Sequence, residues 1–155
     1  MKTIEKGALA PDFELPDQDG KPVSLSTLLL DGPVVLFFYP AAMTAGCTKE
    51  ACHFRDLAAE FAAVGAQRVG ISPDDAQSHQ RFRNKYGLRF PLLTDADHEV
   101  MDAWGAWGEK VRYGQTSIGV LRSTFLVDEQ GRVERVWHNV KADGHAAQVL
   151  AELER

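Results

Sequence analysis

Val34-Val35-Leu36-Phe37-Phe38-Tyr39-Pro40-Ala41-Ala42-Met43-Thr44-Ala45-Gly46-Cys47-Thr48-Lys49-Glu50-Ala51-Cys52 is the stretch around which the rest of the chain organises. With Pro33 before it, its first part completes the apolar run Pro33–Tyr39, bounded by a glycine and a proline, the pattern of a buried strand. Beyond it, Cys52–Val64 reads as a helix. Both cysteines of the protein therefore fall where a strand ends and a helix begins. That point is the carboxyl edge of a sheet, where open α/β sheets place their ligand sites.

The cysteine spacing carries a second message. On a helix, five residues give a rotation of about 140° and a rise of about 7.5 Å. A disulfide needs Cα atoms closer than about 7 Å and side chains that face each other. Cys47 and Cys52 cannot pair while the segment is an intact helix, so a bridge between them requires the first turns to unwind. Cys47 would lie in the first helical turn, where free N–H groups and the positive end of the helix dipole favour a thiolate. Cys52 lies further in without that help and reads as the thiol that attacks later. Two buried structural thiols are an equally ordinary reading of the pair taken alone. Two cysteines without a second ligand pair do not make a zinc site.

The pattern Pro40-x-x-x-Thr44-x-x-Cys47 resembles the peroxiredoxin active-site motif. Cys47-Thr48-Lys49-Glu50-Ala51-Cys52 after Phe38-Tyr39-Pro40 is similar to the Q-type subfamily, also called bacterioferritin comigratory protein. The resemblance extends to Ala10-Pro11-Asp12-Phe13, to Tyr86–Leu93, to Gly119–Asp128, and to Val140-Lys141 with Gly144-His145-Ala146. Two departures lie in the loop before the nucleophile: Ala41-Ala42 where relatives often carry Lys-Asp, and Ala45 where they often carry proline. The resemblance implies a thioredoxin-like α/β fold, a central mixed sheet flanked by helices, with an N-terminal β-hairpin. It implies a thiol peroxidase acting on hydrogen peroxide or organic hydroperoxides, recycled by thioredoxin or a similar dithiol, without cofactor or metal, and often monomeric.

Composition is compatible with this. A chain of 155 residues is long enough for one domain with a real core, spanning residues 1–155. Apolar content of 45% and charged content of 25% are ordinary for a globular protein. A formal net charge of −5 disfavours nucleic acid or an anionic membrane as the main partner. Met1–Lys6 lacks an apolar signal core, the longest apolar run is too short to span a bilayer, and two cysteines are too few for a secreted disulfide scaffold. A reducing cytoplasm is the expected location.

Taken in order, Asp12–Leu15 and Val23–Leu25 predict a hairpin around Asp19-Gly20. A helical turn follows over Ser26–Leu30, then the strand Val34–Tyr39. The helix Cys52–Val64 carries Phe54, Leu57, Ala58, Phe61 and Ala62 on one face, with Gly65 as its C-cap. Gln67–Ile71 is a strand, and Ser72-Pro73-Asp74-Asp75 starts a helix over Ala76–Tyr86 that stops at Gly87. Phe90–Leu93 is a short strand, and Thr94–Asp97 caps a helix over His98–Ala103. Trp104–Thr116 is punctuated by glycines and takes no assignment; Trp104 and Trp107 fit core packing better than a substrate mouth. Arg122–Val127 and Arg132–Trp137 predict a second hairpin, and Gly144–Leu153 a C-terminal helix with Ala146, Val149, Leu150 and Leu153 inward. Alternating strands and helices point to an α/β fold.

The resemblance also assigns roles. Arg122, a permanently charged fork of donors, is placed beside Cys47 to stabilise its thiolate and hold the peroxide. Glu50, three residues beyond Cys47 on the same helix face, orients that arginine, and Pro40 shields the thiolate. From the residues themselves, the Thr44 hydroxyl can accept from or donate to a peroxide oxygen, and the amides of Gly46 and Cys47 are free by position. Of the five histidines, His53 points elsewhere on a helix and the others have no sequence link to Cys47, so a Cys–His hydrolase is unsupported. A protein disulfide oxidoreductase more often uses Cys-x-x-Cys. A redox-switched binding protein, exposing apolar surface on unwinding, is the alternative from another class.

Overall fold

The computed structural model describes residues 4–138 and 140–154, so Met1–Thr3 of the N-terminal segment discussed above lie outside the described residues. Five strands form the central sheet in the order β5 (Leu92–Thr94), β4 (Gln67–Ser72), β3 (Val34–Phe38), β8 (Ser123–Val127), β9 (Val133–Trp137). β3 pairs in parallel with β4, β4 in parallel with β5, and β3 antiparallel with β8, which pairs antiparallel with β9. This mixed sheet, with helices packed on it and the hairpin β1 (Glu14–Pro16)/β2 (Pro22–Ser24) beside it, is the thioredoxin-like arrangement the resemblance implied.

β3 is the central strand and is buried on both faces, as its unbroken apolar run requires. Its alternate residues feed two cores. Val34, Leu36 and Phe38 join Phe13, Leu25, Met101, Trp104, Phe125 and Val127. Val35 and Phe37, with Tyr39 just past the strand, join Cys47, Phe54, Phe61, Phe82, Phe90, Leu126 and Val149. Phe37 stacks on Phe54 at 4.6 Å between ring centroids, which ties the central strand to the helix that carries both cysteines. α4 (Ala76–Tyr86) closes that second core and ends at Gly87, whose φ of 63° is the left-handed C-cap. Residues Gly7–Ala10 run along β9, with the Gly7 amide on the Val133 carbonyl at 2.7 Å and the Ala10 amide on the Gly131 carbonyl at 2.8 Å.

Two expectations need correction. The helix expected over Cys52–Val64 begins earlier and is interrupted: α2 covers Ala45–Asp56 and α3 covers Ala58–Ala63. At the break, Leu57 leaves helical geometry with φ −96° and ψ 21°. The Phe54 carbonyl accepts from Arg68 Nη1 at 2.7 Å, so a side chain from β4 takes an acceptor that would otherwise serve the continuing helix. The unassigned Trp104–Thr116 stretch belongs mostly to a hairpin, β6 (Trp107–Arg112) with β7 (Gln115–Val120). Its turn residues Tyr113 and Gly114 both have positive φ, 53° and 76°, the conformation that matches strand twist in a two-residue turn.

The other elements agree with the sequence to within a few residues. α1 covers Leu25–Leu28 and continues as a 3₁₀ turn over Leu29–Asp31. α5 covers Glu99–Ala103, capped by Asp95, which accepts from the Val100 and Met101 amides at 3.4 and 2.8 Å. α6 covers His145–Leu153 and buries Ala146, Val149 and Leu150.

Candidate active site

The two cysteines sit on α2, Cys47 buried and Cys52 half-buried, both as free thiols. The first intrahelical bond runs from the Thr48 amide to the Thr44 carbonyl at 2.9 Å. The amides of Ala45, Gly46 and Cys47 therefore precede the helical ladder and form the positive end of the helix that carries Cys47. Burial pushes the Cys52 thiol up, with Asp56 adding to it and Arg55 opposing it. Cys52 thus stays a thiol, while Cys47 lies in the first turn of the helix.

Arg122 lies just before β8, adjacent to β3 in the sheet, and so reaches the start of α2 across 75 residues of sequence. Its Nη2 donates to Cys47 Sγ at 3.1 Å, and its Nη1 donates to Glu50 Oε1 at 2.7 Å. Glu50 is fully buried, and its Oε2 has no hydrogen-bond partner among the described residues. Burial pushes the Glu50 carboxyl up to about 7, with Arg122 pulling against it. Arg122 is held protonated by Glu50 and Cys47 even though burial opposes its charge. A Cβ on Gly46 would lie 3.4 Å from Arg122 Nη2, so the helix backbone and the guanidinium are in close register there.

Thr44 is the residue before α2 and is exposed. Its hydroxyl does not cap the helix; it donates to the Ala41 carbonyl at 2.7 Å. With that proton committed, the oxygen presents lone pairs, so in this arrangement it is an acceptor toward a substrate O–H. Pro40 and Arg122 border a cleft of about 390 Å³ whose other walls include Lys110, Val111, Val120, Leu121 and Val140. The cleft therefore joins the cysteine site to the β6–β7 hairpin. Lys110 and Val111 carry no local sequence signal of this position, because the hairpin that brings them to the cleft lacks a two-residue apolar alternation.

Trp104 and Trp107 do not line this cleft. Trp104 is fully buried, with Phe125 edge-on at 5.0 Å, and Trp107 stacks on His98 at 3.7 Å. His145 is buried between Thr124 (Nε2 to Oγ1, 2.7 Å) and Gln148 (Nδ1 to Oε1, 3.2 Å), a packing role. Among the described residues no histidine hydrogen-bonds a cysteine, and no group of three His, Cys, Asp or Glu side chains is arranged to hold a metal ion.

The AhpC/TSA family model matches residues 7–136. The chain belongs to the AhpC/TSA family, among the Bcp/PrxQ peroxiredoxins. It is 52% identical over 150 residues to a putative peroxiredoxin of Mycobacterium tuberculosis, covering 97% of this chain and 95% of the relative. It is 43% identical over 151 residues to peroxiredoxin Bcp of Bacillus subtilis, covering 97% and 96%. Its fold superposes with a TM-score of 0.87 on bacterioferritin comigratory protein of Xanthomonas campestris, at 37% identity and 97% and 96% coverage; that structure was studied for alkyl peroxide reduction. This peroxiredoxin is a thiol peroxidase with a peroxide substrate and a reductant partner. Among the described residues no helix is long and apolar enough to cross a membrane.

Proposed function

We propose that Cys47 is the peroxidatic thiolate and Cys52 the resolving thiol of a local two-cysteine cycle. The Cys47 thiolate attacks the terminal oxygen of ROOH. An S–O bond forms, the O–O bond breaks, and the leaving alkoxide takes up a proton to give ROH. Cys47 becomes a sulfenic acid. The first turns of α2 unwind, the Cys52 sulfur attacks the sulfenic sulfur, and one water leaves as the disulfide forms. An external dithiol, thioredoxin in this reading, reduces the bridge by thiol–disulfide exchange.

The observation that carries this reading is the Arg122 fork, with one arm on the Cys47 sulfur and the other on a buried carboxylate. Charge fixed there stabilises negative charge on sulfur before attack and on the departing oxygen during it. Thr44 accepts from the peroxide O–H, the amides of Gly46 and Cys47 meet its oxygens, and Pro40 keeps bulk water from the thiolate. Val111, Val120, Leu121 and Val140 give the cleft apolar walls suited to an organic hydroperoxide as well as hydrogen peroxide. The net charge of −5 speaks against nucleic acid or an anionic membrane as partner, and a monomer in a reducing cytoplasm is the setting this reading takes from the sequence and its family resemblance.

The test is peptide mapping of the reduced protein after one equivalent of hydrogen peroxide. A loss of two hydrogens, located in a Cys47–Cys52 bridge, is the expected result. A failure of Cys47 to react would remove it as nucleophile and bring protein disulfide exchange forward.

A further inference from the structure

A second polar cluster lies behind the loop that leads to Cys47, on the same carboxyl edge of the sheet. It draws one residue from the end of each of three parallel strands and one from α4. Tyr39 follows β3, Ser72 ends β4, Thr94 ends β5, and His79 lies on α4. His79 Nε2 is 2.9 Å from the Tyr39 hydroxyl and 2.8 Å from Ser72 Oγ, and its Nδ1 is 3.3 Å from Thr94 Oγ1. Tyr39, Ser72 and His79 are essentially inaccessible to solvent. The cluster converges on Asp74. The Ser72 hydroxyl donates to Asp74 Oδ2 at 2.6 Å, the Asp74 amide donates to Ser72 Oγ at 3.1 Å, and the Thr94 hydroxyl donates to the Asp74 carbonyl at 2.7 Å.

Asp74 is thus fixed in main chain and side chain, and Oδ2 has one further donor. That donor is the backbone amide of Ala42, at 2.7 Å and 32 residues away in sequence. Ala42 precedes Met43, a non-glycine residue in left-handed conformation with φ 68°. Such a conformation persists only where its surroundings over-determine it. Here the loop is fixed on one side by Asp74 and closed on the other by the Thr44 hydroxyl on the Ala41 carbonyl. The helix Ser72–Asp75 was expected to start is capped by Asp75 alone, which accepts from the Ser78 amide at 2.8 Å, so Asp74 is not needed for that task.

We propose that Asp74 is a positioning residue for the peroxide step. Its carboxylate, oriented by Ser72 and His79, holds the Ala42 amide and so sets the Met43 bend that delivers Thr44 and the first amides of α2 to the substrate. This rests on Cys47 being the peroxide nucleophile. Asp74 touches neither sulfur nor substrate; it acts through the loop. The same anchor marks where unwinding of α2 stops, because Ala42 remains tied to the sheet edge while the turns after it open.

The experiment compares two reactions of Cys47 by stopped flow: with hydrogen peroxide, which needs the loop in register, and with iodoacetamide, which needs only an accessible thiolate. Asp74→Ala should slow the peroxide reaction by about tenfold or more, since small misplacements of reacting groups weigh heavily. The same variant should keep its alkylation rate and alkylation pH profile. Asp74→Asn, which retains an acceptor for the Ala42 amide, should restore most of the peroxide rate. An unchanged peroxide rate in Asp74→Ala overturns the proposal. So does a parallel loss in both reactions, or an Asp74→Asn variant as slow as Asp74→Ala. Should Asp74→Ala not fold, Ser72→Ala carries the test: a slower peroxide reaction with steady alkylation supports the proposal, and an unchanged one overturns it. Inertness of Cys47 in the unaltered protein would instead strike at the nucleophile assignment itself.

Discussion

The guanidinium of Arg122 donates to the sulfur of Cys47 at 3.1 Å while its other arm stays on a carboxylate with no exposure to solvent. The fork spans both acceptors with fixed spacing, which a lysine ammonium on a flexible stem does not reproduce. Arg122→Ala should lower the second-order rate constant with hydrogen peroxide by about a hundredfold, the scale of losing one donor aimed at developing charge. Arg122→Lys should recover only part of that loss. Stopped-flow measurement of the first oxidation step checks both, and a rate unchanged in Arg122→Ala removes Arg122 from the site.

Gly46 sits at ordinary contact distance from the same guanidinium. A single added methyl would lie 3.4 Å from Nη2. Gly46→Ala should therefore change the peroxide rate by less than about threefold, whereas the branched side chain of Gly46→Val should press on the arginine and slow the reaction further, since overpacking shifts neighbouring side chains. Equal rates for the two variants would show that the guanidinium moves aside freely.

Two buried groups load the fold in opposite pH directions. Burial pushes His79 down to about 4 from an ordinary 6.5, with Asp74 and Asp75 opposing, so the folded state resists the cation. Its contribution to stability is present above pH 6.5 and is lost as the pH falls toward 4. Burial pushes Glu50 up to about 7 from 4.5, so its contribution is present below pH 4.5 and is lost as the pH rises toward 7. Relative to the unaltered protein, His79→Gln should gain stability as the pH falls through the first window, and Glu50→Gln should gain as it rises through the second. Each change should amount to a few kcal/mol at most, at about 1.4 kcal/mol per unit. Urea unfolding across pH 4 to 7 reads the slopes directly; parallel curves would contradict the assignment.

Ala45 is the first residue of α2, and Thr44 before it is extended, with φ −82° and ψ 155°. That geometry accepts a proline at position 45, whose fixed φ suits the first helical position. Ala45→Pro should stabilise the reduced protein by about 0.4–1 kcal/mol. Because resolution is proposed to require unwinding of this turn, the same change should slow formation of the Cys47–Cys52 bridge by up to about fivefold. Quenched-flow trapping after a single equivalent of peroxide gives the rate; an unaltered rate would mean that opening starts deeper in the helix.

What was legible in the sequence follows the range of the interactions. β3 announced itself because both of its faces are buried, and the strand-to-helix junction because a proline, a threonine and two cysteines lie close together, although the helix starts at Ala45, earlier than the expected Cys52. The break at Leu57 did not, because its cause is Arg68, a side chain from another strand. The β6–β7 hairpin escaped because β7 begins with four exposed residues in succession and offers no two-residue alternation. Its turn is Tyr113-Gly114, without the asparagine or aspartate that marks such turns. Arg122 was assigned through resemblance alone: no local pattern reports a contact across 75 residues. Asp74 was read as part of a helix start, and only the fold brings it to Ala42.

Cys47 is a member of the apolar cluster around Phe37 and Phe54, as is Ala51. In the cycle proposed above, the dithiol form keeps these contacts, and the disulfide form gives up those of the unwound turns. Packing therefore favours the reduced state over the oxidised one. A protein whose reduced form is the better packed holds a disulfide of raised reduction potential. Under the proposed cycle, the same aromatic stack that seats the helix on the sheet would make a Cys47–Cys52 bridge easy for an external dithiol to discharge.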